Sequence, residues 1–574
     1  MYANEIYVTL DDPLNKEEVL DHFNKTFDFA KSQMGSAQEI ALRLTPLKDV
    51  YYTHDTTFDF NPKGHRETNY VLLGIAFLIL FIAGINFTNL TTSLIPLRLK
   101  TINTHRVLGC SIYKLRAISL IESIVICLIS YILALFIVND LSYTPIANWV
   151  DADIRLSQYK GLILLTALIA ILTGCLAGLY PAIRSTSYAP ALVLKGSFGL
   201  SSKGKKVRVA LIGFQYTVSI ALIIVTLFMG LQNHFMTSSE QLGFNKDQVA
   251  IVNLTPEIYA KHKPQYIQKL KDYPGIEDVA FSVYELSKED DMIDLEYARH
   301  EDKDVFFKVF YASENFLSVM DIQVEEGRDF TREDLNKAQS DYIINPAAER
   351  DFHLHPGDRF NDRTVLGVSK DFRFNSCRIA SSPFVFALNN DIPNPKLVSY
   401  IRFNSKTNLQ ETVAHVRETL KEIDPTFPFE ISFYNTILNN LYQKEQTLGK
   451  LISLFGIMAI LISIVGVFGL VLFETQYRRK EIGIRKINGA TTGQILLMFN
   501  KTYIRIVSVC FIISIPIAWM GTQQWLENFA YKTPLHLWVF IVAFLIILSV
   551  TIGTVTFRNW QAANENPVNS VKSE

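Results

Sequence analysis

Two segments of this chain repeat one another, and each lies between two long apolar runs. Arg98–Cys110 aligns without gaps with Arg478–Ala490, and the two segments share basic residues, an isoleucine and a late glycine at matching positions. Repeats of an apolar run, a basic segment and a second apolar run are typical of membrane proteins built from duplicated units. The sequence therefore predicts two related membrane units in one polypeptide.

Seven apolar runs are long enough to cross a bilayer, which takes roughly 20 residues in a helix. Any one of them alone could be a buried helix of a soluble core, but seven together indicate a membrane α-helical protein. The predicted spans are Tyr70–Leu94, Ala117–Val138, Gly161–Leu179, Val209–Leu231, Leu451–Phe473, Tyr503–Met520 and Leu537–Phe557.

Charged residues are segregated between the loops. The loops after the first, third and fifth spans are rich in Lys and Arg, whereas the loop after the second contains Asp140, Asp151 and Asp153. Because positive loops stay in the cytoplasm, we expect the basic loops inside and residues 232–446 outside the cytoplasm. The net charge of −1 hides this segregation and gives no reason to expect nucleic-acid binding.

The N-terminal region is acidic and precedes the first span. An odd number of spans with a cytoplasmic C terminus places this region outside, yet no basic-plus-apolar leader opens the chain. We therefore expect an upstream span and most of a first external domain to be missing from this sequence. Within the region, Glu5–Leu10 alternates like a strand and Lys16–Lys31 has helical spacing.

The predicted organisation follows from these boundaries. In chain order it comprises residues 1–69 as the C-terminal remnant of a first extracytoplasmic domain, 70–196 as a membrane unit of three spans, 197–208 as a cytoplasmic linker, 209–231 as a transmembrane helix, 232–446 as an α+β extracytoplasmic domain, 447–560 as a second membrane unit of three spans, and 561–574 as a cytoplasmic tail.

The external domain mixes two kinds of pattern. Strand-like runs occupy Gln248–Leu254, Arg363–Val368 and Val398–Phe403, and helical spacing occurs in Pro264–Lys271 and Leu409–Glu422. Turn residues stand at Tyr273–Gly275 and at Ile392–Pro395. Both ends of the domain lead into spans, so we expect a continuous helix through Leu441–Leu451 that carries movement between the membrane and the outside.

Motifs for catalysis or metal binding are weak throughout. Gly199–Lys206 resembles a phosphate-binding loop but lacks the final hydroxyl residue and a preceding strand, so we interpret it as a basic linker. His353 and His355 lack a full ligand set, and Glu289–Asp291 is not a complete calcium loop. No cysteine pair outside the membrane could form a disulfide. We expect no enzymatic activity, cofactor or metal in this chain.

Polar residues inside the spans lie close to the predicted cytoplasmic surface. They are Asn86, Asn89, Glu122, Gln215 and Arg505. Interhelical hydrogen bonds and snorkelling explain this placement. A proton or ion relay needs charge at the bilayer midplane, and no charged residue of these spans lies there. This placement argues against a secondary transporter.

The second repeat has the pattern of a short amphipathic helix. Ile482 and Ile487 alternate with charged residues in Arg479–Lys486, and Gly489 is placed to end the helix. Such a helix at the membrane face can dock into a cytoplasmic partner.

These residues resemble a known family. Tyr477–Ala490 is similar to the signature of the FtsX-like permeases, the MacB-type ABC transporter permeases. Further resemblances to the double-unit form of that family occur at Gly178–Ala182, Pro190–Gly196, Phe214–Gln215, Glu326–Phe330, Gly367–Phe374 and Asn566–Val568.

The resemblance implies a non-catalytic permease subunit that works with a separate cytoplasmic ABC ATPase, as a homo- or heterodimer of permeases, in some cases with a periplasmic adaptor. It also implies that the segment after the first span of each unit contacts the ATPase. In the second unit this coupling segment comprises Arg478, Arg479, Lys480, Glu481, Ile482, Gly483, Ile484, Arg485, Lys486 and Gly489. The first unit has a weaker copy in Arg98, Lys100, His105, Arg106 and Gly109, because Thr101, Asn103, Thr104 and His105 replace the motif residues.

Two classes of function remain open at this point. One is export or lipoprotein release, driven by ATPase-coupled movement of the external domains (mechanotransmission). The other is a signalling or cell-division regulator that acts on an external hydrolase or senses peptides. Nothing in the residues separates efflux of antibiotics or peptides from lipoprotein release.

Overall fold

A computed structural model describes residues 7–10, 15–26, 44–53, 64, 66–144, 147, 155–187, 202–238, 242–287, 294–300, 303–337, 339–388 and 397–564. The chain forms two compact units, residues 1–75 and residues 76–574. Several sequence predictions lie wholly outside the described residues, namely those on Glu289–Asp291, Ile392–Pro395, Pro190–Gly196 and Asn566–Val568.

The described helices extend well beyond the predicted spans at several ends. In chain order they are α1 (Lys16–Thr26), α2 (Leu47–Val50), α3 (Arg66–Ser93), α4 (Ile95–Val107), α5 (Ile112–Leu141), α6 (Lys160–Thr186), α7 (Ser202–Thr237), α8 (Lys263–Lys271), α9 (Phe316–Met320), α10 (Pro346–Phe352), α11 (Leu409–Ile423), α12 (Tyr434–Leu441), α13 (Gln443–Tyr477), α14 (Arg479–Ile487), α15 (Thr492–Leu526) and α16 (Leu537–Ala563). Short 3₁₀ turns occupy Leu156–Gln158 and Arg332–Asn336, and a π turn occupies Ile258–His262.

Among the described residues, seven helices are long and apolar enough to cross a membrane, which confirms the membrane-helical fold class. They are α3, α5, α6, α7, α13, α15 and α16. The predicted end of the third span is wrong, because α6 continues through Pro181 to Thr186. Proline cannot donate to the carbonyl of Ala177, one turn earlier. That carbonyl instead accepts a hydrogen bond from Thr88 Oγ1 on α3, at 2.8 Å, so the helix loses little by containing Pro181.

The segment predicted as a linker before the fourth span is partly helical. Helix α7 begins at Ser202, so the end of the phosphate-loop-like stretch is helical. A helix of 36 residues is about 54 Å long, which exceeds a bilayer core of about 30 Å. The fourth span is therefore the membrane part of a longer rod.

Within residues 1–75, the helical prediction is confirmed and the strand prediction is not. Helix α1 covers Lys16–Thr26, but Tyr7–Leu10 adopt no strand conformation. A strand needs a partner to satisfy its backbone groups, and the described residues of this unit contain no other strand.

The described residues of the external domain form one mixed sheet of eleven strands. They are β1 (Val249–Leu254), β2 (Ile276–Ser282), β3 (Asp294–His300), β4 (Lys303–Ala312), β5 (Val324–Gly327), β6 (Tyr342–Ile344), β7 (Arg359–Phe360), β8 (Arg363–Ser369), β9 (Phe384–Leu388), β10 (Leu397–Phe403) and β11 (Ile431–Phe433). The order is β11-β1-β10-β2-β4-β9-β6-β8-β5, with β3 beside β4 and β7 beside β8. The pairs β4–β9 and β6–β8 are parallel and the others antiparallel. The predicted strands β1, β8 and β10 and helices α8 and α11 are all present.

The two faces of the sheet bury separate cores. Ala250 and Val252 of β1 pack with α8 and α11, whereas Val249 and Ile251, which alternate with them, face an aromatic core. That aromatic core contains Phe310, Phe316, Phe384 and Phe386, and it also includes Met236 of α7, Tyr442 before α13 and Phe529 after α15. The core of the external domain is thus continuous with the outer ends of membrane helices.

The expected continuous helix through Leu441–Leu451 is interrupted. Helix α12 ends at Leu441, Tyr442 has non-helical backbone angles (φ −107°, ψ 13°), and α13 starts at Gln443. The Tyr442 ring is fully buried in the aromatic core, and this tertiary contact outweighs helix propensity at one residue. The prediction of an unbroken rod is therefore wrong at Tyr442 and holds from Gln443 onwards.

Candidate functional site

The second repeat forms a short helix with a defined stop. Helix α14 ends at Ile487, Gly489 has a φ of +89°, and the amide of Ala490 donates to the carbonyl of Arg485 at 3.0 Å. Glycine is favoured there because other residues rarely adopt positive φ. Thr491 then caps α15, with its side chain accepting from the Gln494 amide at 3.3 Å. The predicted stop at Gly489 is confirmed.

The first repeat has the same local structure. Helix α4 ends at Val107, Gly109 has a φ of +90°, and the Cys110 amide donates to the His105 carbonyl at 2.9 Å. Ser111 caps α5 by accepting from the Lys114 amide at 3.3 Å. Both copies are therefore a helix, a glycine turn and a capped second helix.

Burial also repeats between the two copies, position by position. From Asn103 to Cys110 the sequence of buried, half-buried and exposed residues matches that from Gly483 to Ala490. Val107 and its equivalent Ile487 are exposed to nearly the same extent, 66% and 65%. The exposed surface of each copy therefore contains an apolar residue next to basic ones.

The apolar face of α14 differs from the predicted one. Ile482 is buried and packs into the core of the second membrane unit, as expected for the membrane-facing side. Ile487 was predicted to share that face, but it is exposed because five residues turn a helix well past one full turn. Ile484 is exposed as well, at 55%.

Ion pairs attach each copy to a membrane helix, and the partners differ. In the second copy Arg478 contacts Glu474 of α13 at 2.9 Å, and Arg485 contacts Glu481 within α14 at 2.8 Å. Arg479 and Lys480 form the first turn of α14 and Lys486 its last. In the first copy Arg98 contacts Glu122 of α5 at 2.8 Å.

The first copy is also held by the third span. Arg106 donates to the Thr186 carbonyl at 3.3 Å, and Arg116 Nε donates to Thr186 Oγ1 at 3.0 Å. Lys100 and His105 lie along α4. The end of α6 beyond Pro181 therefore supports the first copy, in a way that the predicted end at Leu179 did not anticipate.

At the outer end of the second membrane unit, the external domain contacts three membrane elements. Arg378 Nε donates to Glu445 Oε1 of α13 at 2.7 Å. The Tyr531 amide, between α15 and α16, donates to the Cys377 carbonyl at 3.1 Å, and its hydroxyl accepts from the Ser381 amide at 3.2 Å. We name this group of contacts the outer junction.

Helix α7 completes the outer junction. Gln232 Nε2 donates to the Tyr531 carbonyl at 3.0 Å, and Gln232 Oε1 accepts from the Thr533 amide at 2.8 Å. The Arg373 guanidinium lies over the Tyr531 ring at 4.0 Å and near the Phe235 ring of α7 at 5.4 Å. Arg373 belongs to the Gly367–Phe374 motif, which the sequence singled out without a role.

The break at Tyr442 is part of this junction. The Cys377 amide donates to Tyr442 Oη at 3.2 Å. Burial raises the pKa of the Cys377 thiol and also raises the pKa of Tyr442. Both groups are therefore neutral at physiological pH and act as packed structural groups. Cys377, Arg378, Tyr442 and Tyr531 belong to none of the motifs found in the sequence.

The remaining predicted motifs have local roles. Arg328, in the Glu326–Phe330 motif, contacts both carboxylate oxygens of the buried Asp334 at 2.7 and 2.8 Å and holds the pKa of Asp334 below its usual range. His353 has a φ of +53° and ends α10. His355 instead lies near Glu349 and Glu326, with ligand atoms within 4.8 Å of one another. Glu326 and His355 are exposed, so this cluster resembles a solvated surface group.

Buried polar residues of the spans make interhelical contacts. Asn86 Nδ2 of α3 donates to the Ile462 carbonyl of α13 at 2.6 Å. Asn89 and Gln215 are also buried, whereas Glu122 is paired with Arg98 as described above. Arg505 is exposed on the surface of α15. Interhelical hydrogen bonding, predicted for this group, is confirmed for Asn86.

Comparison with known proteins identifies the two membrane units. The profile of the FtsX-like permease C-terminal family matches residues 73–190 and 453–567. The macrolide export ATP-binding/permease protein MacB of Aggregatibacter actinomycetemcomitans is 26% identical over 213 residues, which are 35% of this chain and 32% of that protein. MacB of Neisseria gonorrhoeae is 25% identical over 223 residues, 36% of this chain and 34% of that protein. The chain thus matches about a third of the length of these curated relatives.

Two solved structures are also similar to part of the chain. The periplasmic region of MacB from Actinobacillus actinomycetemcomitans is 14% identical, with a TM-score of 0.26, and covers 35% of this chain and 94% of that one. The extracellular domain of the noncanonic ABC-type transporter YknZ from Gram-positive bacteria is 16% identical, with a TM-score of 0.24. The match covers 32% of this chain and 99% of that one.

Proposed function

Both membrane units of this chain belong to the FtsX-like permease family, and from that premise we propose that the chain is the membrane subunit of an ABC-type export or mechanotransmission complex. ATP is hydrolysed on a separate cytoplasmic chain, and this subunit converts the movement of that ATPase into movement of its external domain. The protein is a multi-pass protein of a bacterial cytoplasmic membrane, and its two repeats face the ATPase.

One observation carries the proposal: two helices connect the second repeat directly to the outer junction. Helix α13 begins at Gln443, two residues before Glu445 of the junction, and ends at Tyr477, immediately before Arg478 and α14. Helix α15 begins after the Gly489 turn and ends at Leu526, five residues before Tyr531. Each has 35 residues and is about 52 Å long. A shift of α14 therefore reaches the external domain through two packed rods.

The outer junction is suited to transmit this shift. Arg378, Tyr442 and Tyr531 fasten the external domain to α13 and to the α15–α16 loop, and Phe529 inserts into the domain's aromatic core. A packed core transmits displacement because it has little room to deform. The one non-helical residue, Tyr442, allows the domain to change its angle to α13 without breaking that core.

Within the coupling segment, we assign distinct roles to buried and exposed residues. Ile482 and Gly483 seat α14 on the membrane unit, and Arg478 fixes it to Glu474 of α13. Ile484, Arg485 and Ile487 contact the ATPase, together with Arg479, Lys480, Glu481 and Lys486 of the same helix, and Gly489 sets the turn. In the first copy, Val107 and His105 occupy the positions of Ile487 and Arg485. Arg98, Lys100, Arg106 and Gly109 support these two residues.

The substrate class is a separate proposal. The relatives' name, macrolide export, makes macrolides the first compounds to assay, followed by peptides and lipoproteins. If the protein instead acts in signalling or regulates an external hydrolase, its ATPase should still be coupled to the external domain. ATP hydrolysis would then not be stimulated by macrolides, peptides or lipoproteins.

Matched substitutions in the two repeats test the coupling role. In the protein purified with its ATPase and placed in nanodiscs, Glu481→Lys should lower ATPase stimulation about two- to fivefold, since it removes an ion pair and adds like-charge repulsion, each worth about 0.2–0.5 kcal/mol. Thr101→Lys, at the same position of the weaker copy, should have less effect. Equal and negligible effects at both positions would mean that the repeats only determine topology.

Spin labels test the transmission itself. A nitroxide at Arg417→Cys on the external domain and one at Tyr113→Cys at the inner end of α5 should change their separation between nucleotide-free and ATP-trapped states. The same pair with Glu445→Leu, which removes the Arg378 contact, should show a smaller change. Constant distances, with substrate crosslinks along the spans, would instead support a conventional translocation pore.

A further inference from the structure

Three side chains that can bind a metal ion meet at one end of the external sheet. They are Glu326 on β5, the last strand of the sheet, Glu349 on α10, and His355 in the turn that follows α10. Their ligand atoms all lie within 4.8 Å of one another. The sequence around His355 lacks a full ligand set, and the fold supplies the two missing carboxylates. We name these three residues the Glu–Glu–His cluster.

The backbone holds all three residues in fixed places. The turn after α10 is closed by the Leu354 amide, which donates to the Glu349 carbonyl at 3.2 Å. The His355 amide donates to the Asp358 carboxylate at 2.8 Å, and the His355 carbonyl accepts from the Asp358 amide at 3.0 Å. Strand β5 is paired with β8 at Glu326. Side-chain rotations alone are therefore enough to bring the three ligands onto one ion.

The negative charge of the cluster is not balanced by a basic side chain. In the described part of the chain, neither Glu326 nor Glu349 pairs with a lysine or an arginine, and the nearby Arg328 and Arg350 pair with aspartates instead. Two carboxylates that share a site repel each other. A divalent cation removes this repulsion and, with two carboxylates and a neutral imidazole, gives a site of zero net charge.

The spacing of the ligand atoms fits a tetrahedral zinc ion. Zinc binds imidazole nitrogen and carboxylate oxygen at about 2.0–2.2 Å, which places neighbouring ligand atoms roughly 3.3 Å apart. His355 Nδ1 and Glu349 Oε1 are 3.5 Å apart, which is close to that spacing and longer than an ordinary hydrogen bond. No pair in the cluster exceeds 4.8 Å, so the carboxylate of Glu326 has to move by at most about 1.5 Å.

We propose that the Glu–Glu–His cluster binds one Zn²⁺ ion outside the cytoplasm, with water as the fourth ligand. Zinc accepts imidazole and carboxylate ligands, and the cluster has no thiolate that would favour Cu⁺. The exposure of Glu326 and His355 leaves the fourth position open to water, as in zinc sites with three protein ligands. The bound ion joins β5 to α10 and fixes the last strand of the sheet. This site departs from the sequence-based expectation of no metal, and it does not depend on the proposed coupling to an ATPase.

Calorimetric titration with ZnCl₂ tests the proposal. The full chain is used in detergent, without a polyhistidine tag and after treatment with a chelator. We expect one zinc ion per chain, bound at a site that Glu326→Gln, Glu349→Gln and His355→Ala each weaken at least about tenfold, since each removes one ligand. Because Glu326 and His355 are exposed, their variants should keep the native fold.

Three further variants are matched controls. Glu325→Gln removes the neighbouring carboxylate of β5, which lies outside the cluster, and His353→Asn removes the neighbouring imidazole but keeps a residue that tolerates the φ of +53° at this position. Both should leave the zinc affinity unchanged. Glu326→His replaces one ligand by another and should bind zinc within about tenfold of the unaltered chain, unlike Glu326→Gln.

X-ray absorption at the zinc edge identifies the ligands. We expect a four-coordinate ion with nitrogen and oxygen neighbours at about 2.0–2.2 Å and the scattering pattern of a single imidazole. Equal zinc binding by the unaltered chain and by all three ligand variants would show an adventitious ion only and would overturn the proposal. Sulfur neighbours, which would place the ion on cysteine, or a Kd above about 1 mM would overturn it as well.

Discussion

The two membrane units share their repeated inner segment but differ in how their helices pack. In the second unit, one face of α15 is buried along its whole length, from Ile495 through Tyr503 to Leu526, against α7, α13 and α16. In the first unit the corresponding helix α5 buries only Leu115 and Ser123. The same local sequence pattern therefore leads into two different bundles.

The side chains at the helix contacts explain part of the difference. In the first unit, Gly174 and Gly178 let α6 approach α5 so closely that a Cβ at Gly174 would lie 2.9 Å from Ile124 Cα. This is the small-residue packing common between membrane helices. In the second unit, large residues such as Tyr216, Phe228 and Tyr503 fill the space around α7. The inner helix with its glycine turn is thus a local property of the repeat, whereas the bundle around it is not.

The comparison of the two membrane units would fail most completely if their repeated segments, Arg98–Cys110 and Arg478–Ala490, lay on opposite sides of the membrane. Leu108→Cys and Asn488→Cys, equivalent and exposed, should react with an impermeant maleimide only after lysis, because both loops are basic. Ser405→Cys on the external domain should react in intact cells or spheroplasts. The natural Cys377 should stay unlabelled, since it is buried with a raised pKa. Labelling of Leu108→Cys and Asn488→Cys on different sides would end the family interpretation.

Truncation of a bundle residue should affect the second unit far more than the first. Tyr503→Ala removes a ring that is 1% exposed, and we expect a loss of about 4 kcal/mol in unfolding free energy. Ser123→Ala, at the equivalent position of α5, should cost less than about 1 kcal/mol. Thermal unfolding in detergent, followed by the reactivity of the buried Cys510, measures both. Similar losses would show that the first unit is packed as densely as the second.

Enlarging a glycine should, in contrast, destabilise the first unit more than the second. Gly174→Ala forces α5 and α6 apart and should cost about 2 kcal/mol, a typical cost of overpacking. Gly553→Ala in α16 has nothing within 4 Å of the added methyl group and should leave the unfolding midpoint unchanged or raise it slightly. If Gly174→Ala proves equally neutral, the close packing of α5 on α6 is not what stabilises the first unit.

The two glycine turns should respond alike in stability and differently in activity. Gly109→Ala and Gly489→Ala each place a side chain at a φ near +90° with open space around it. The cost is therefore backbone strain of about 1 kcal/mol in both. ATPase stimulation should fall more for Gly489→Ala, because the second copy keeps the coupling residues. A larger activity loss for Gly109→Ala would reverse the assigned order of the two copies.

Much of the architecture is determined locally, and the sequence predicted that part. Span number followed from apolar length, the end of α14 from Gly489, and strands such as β1 and β10 from buried apolar runs. The repeat also predicted the two segments that we propose to contact the ATPase. The errors occurred where a distant group intervened: Thr88 allows α6 to pass Pro181, and the aromatic core interrupts the helix at Tyr442.

The sequence by itself determined which segments cross the membrane and where helix α14 ends, because length, charge and backbone preference act within a few residues. Only the tertiary structure decided that Asn86 meets Gly466, its own equivalent. Only the tertiary structure, likewise, brought Arg378, Tyr442, Glu445 and Tyr531 together at the outer junction. Those contacts join residues up to 380 positions apart, and they depend on the shape of the packed helices and sheet rather than on any short pattern.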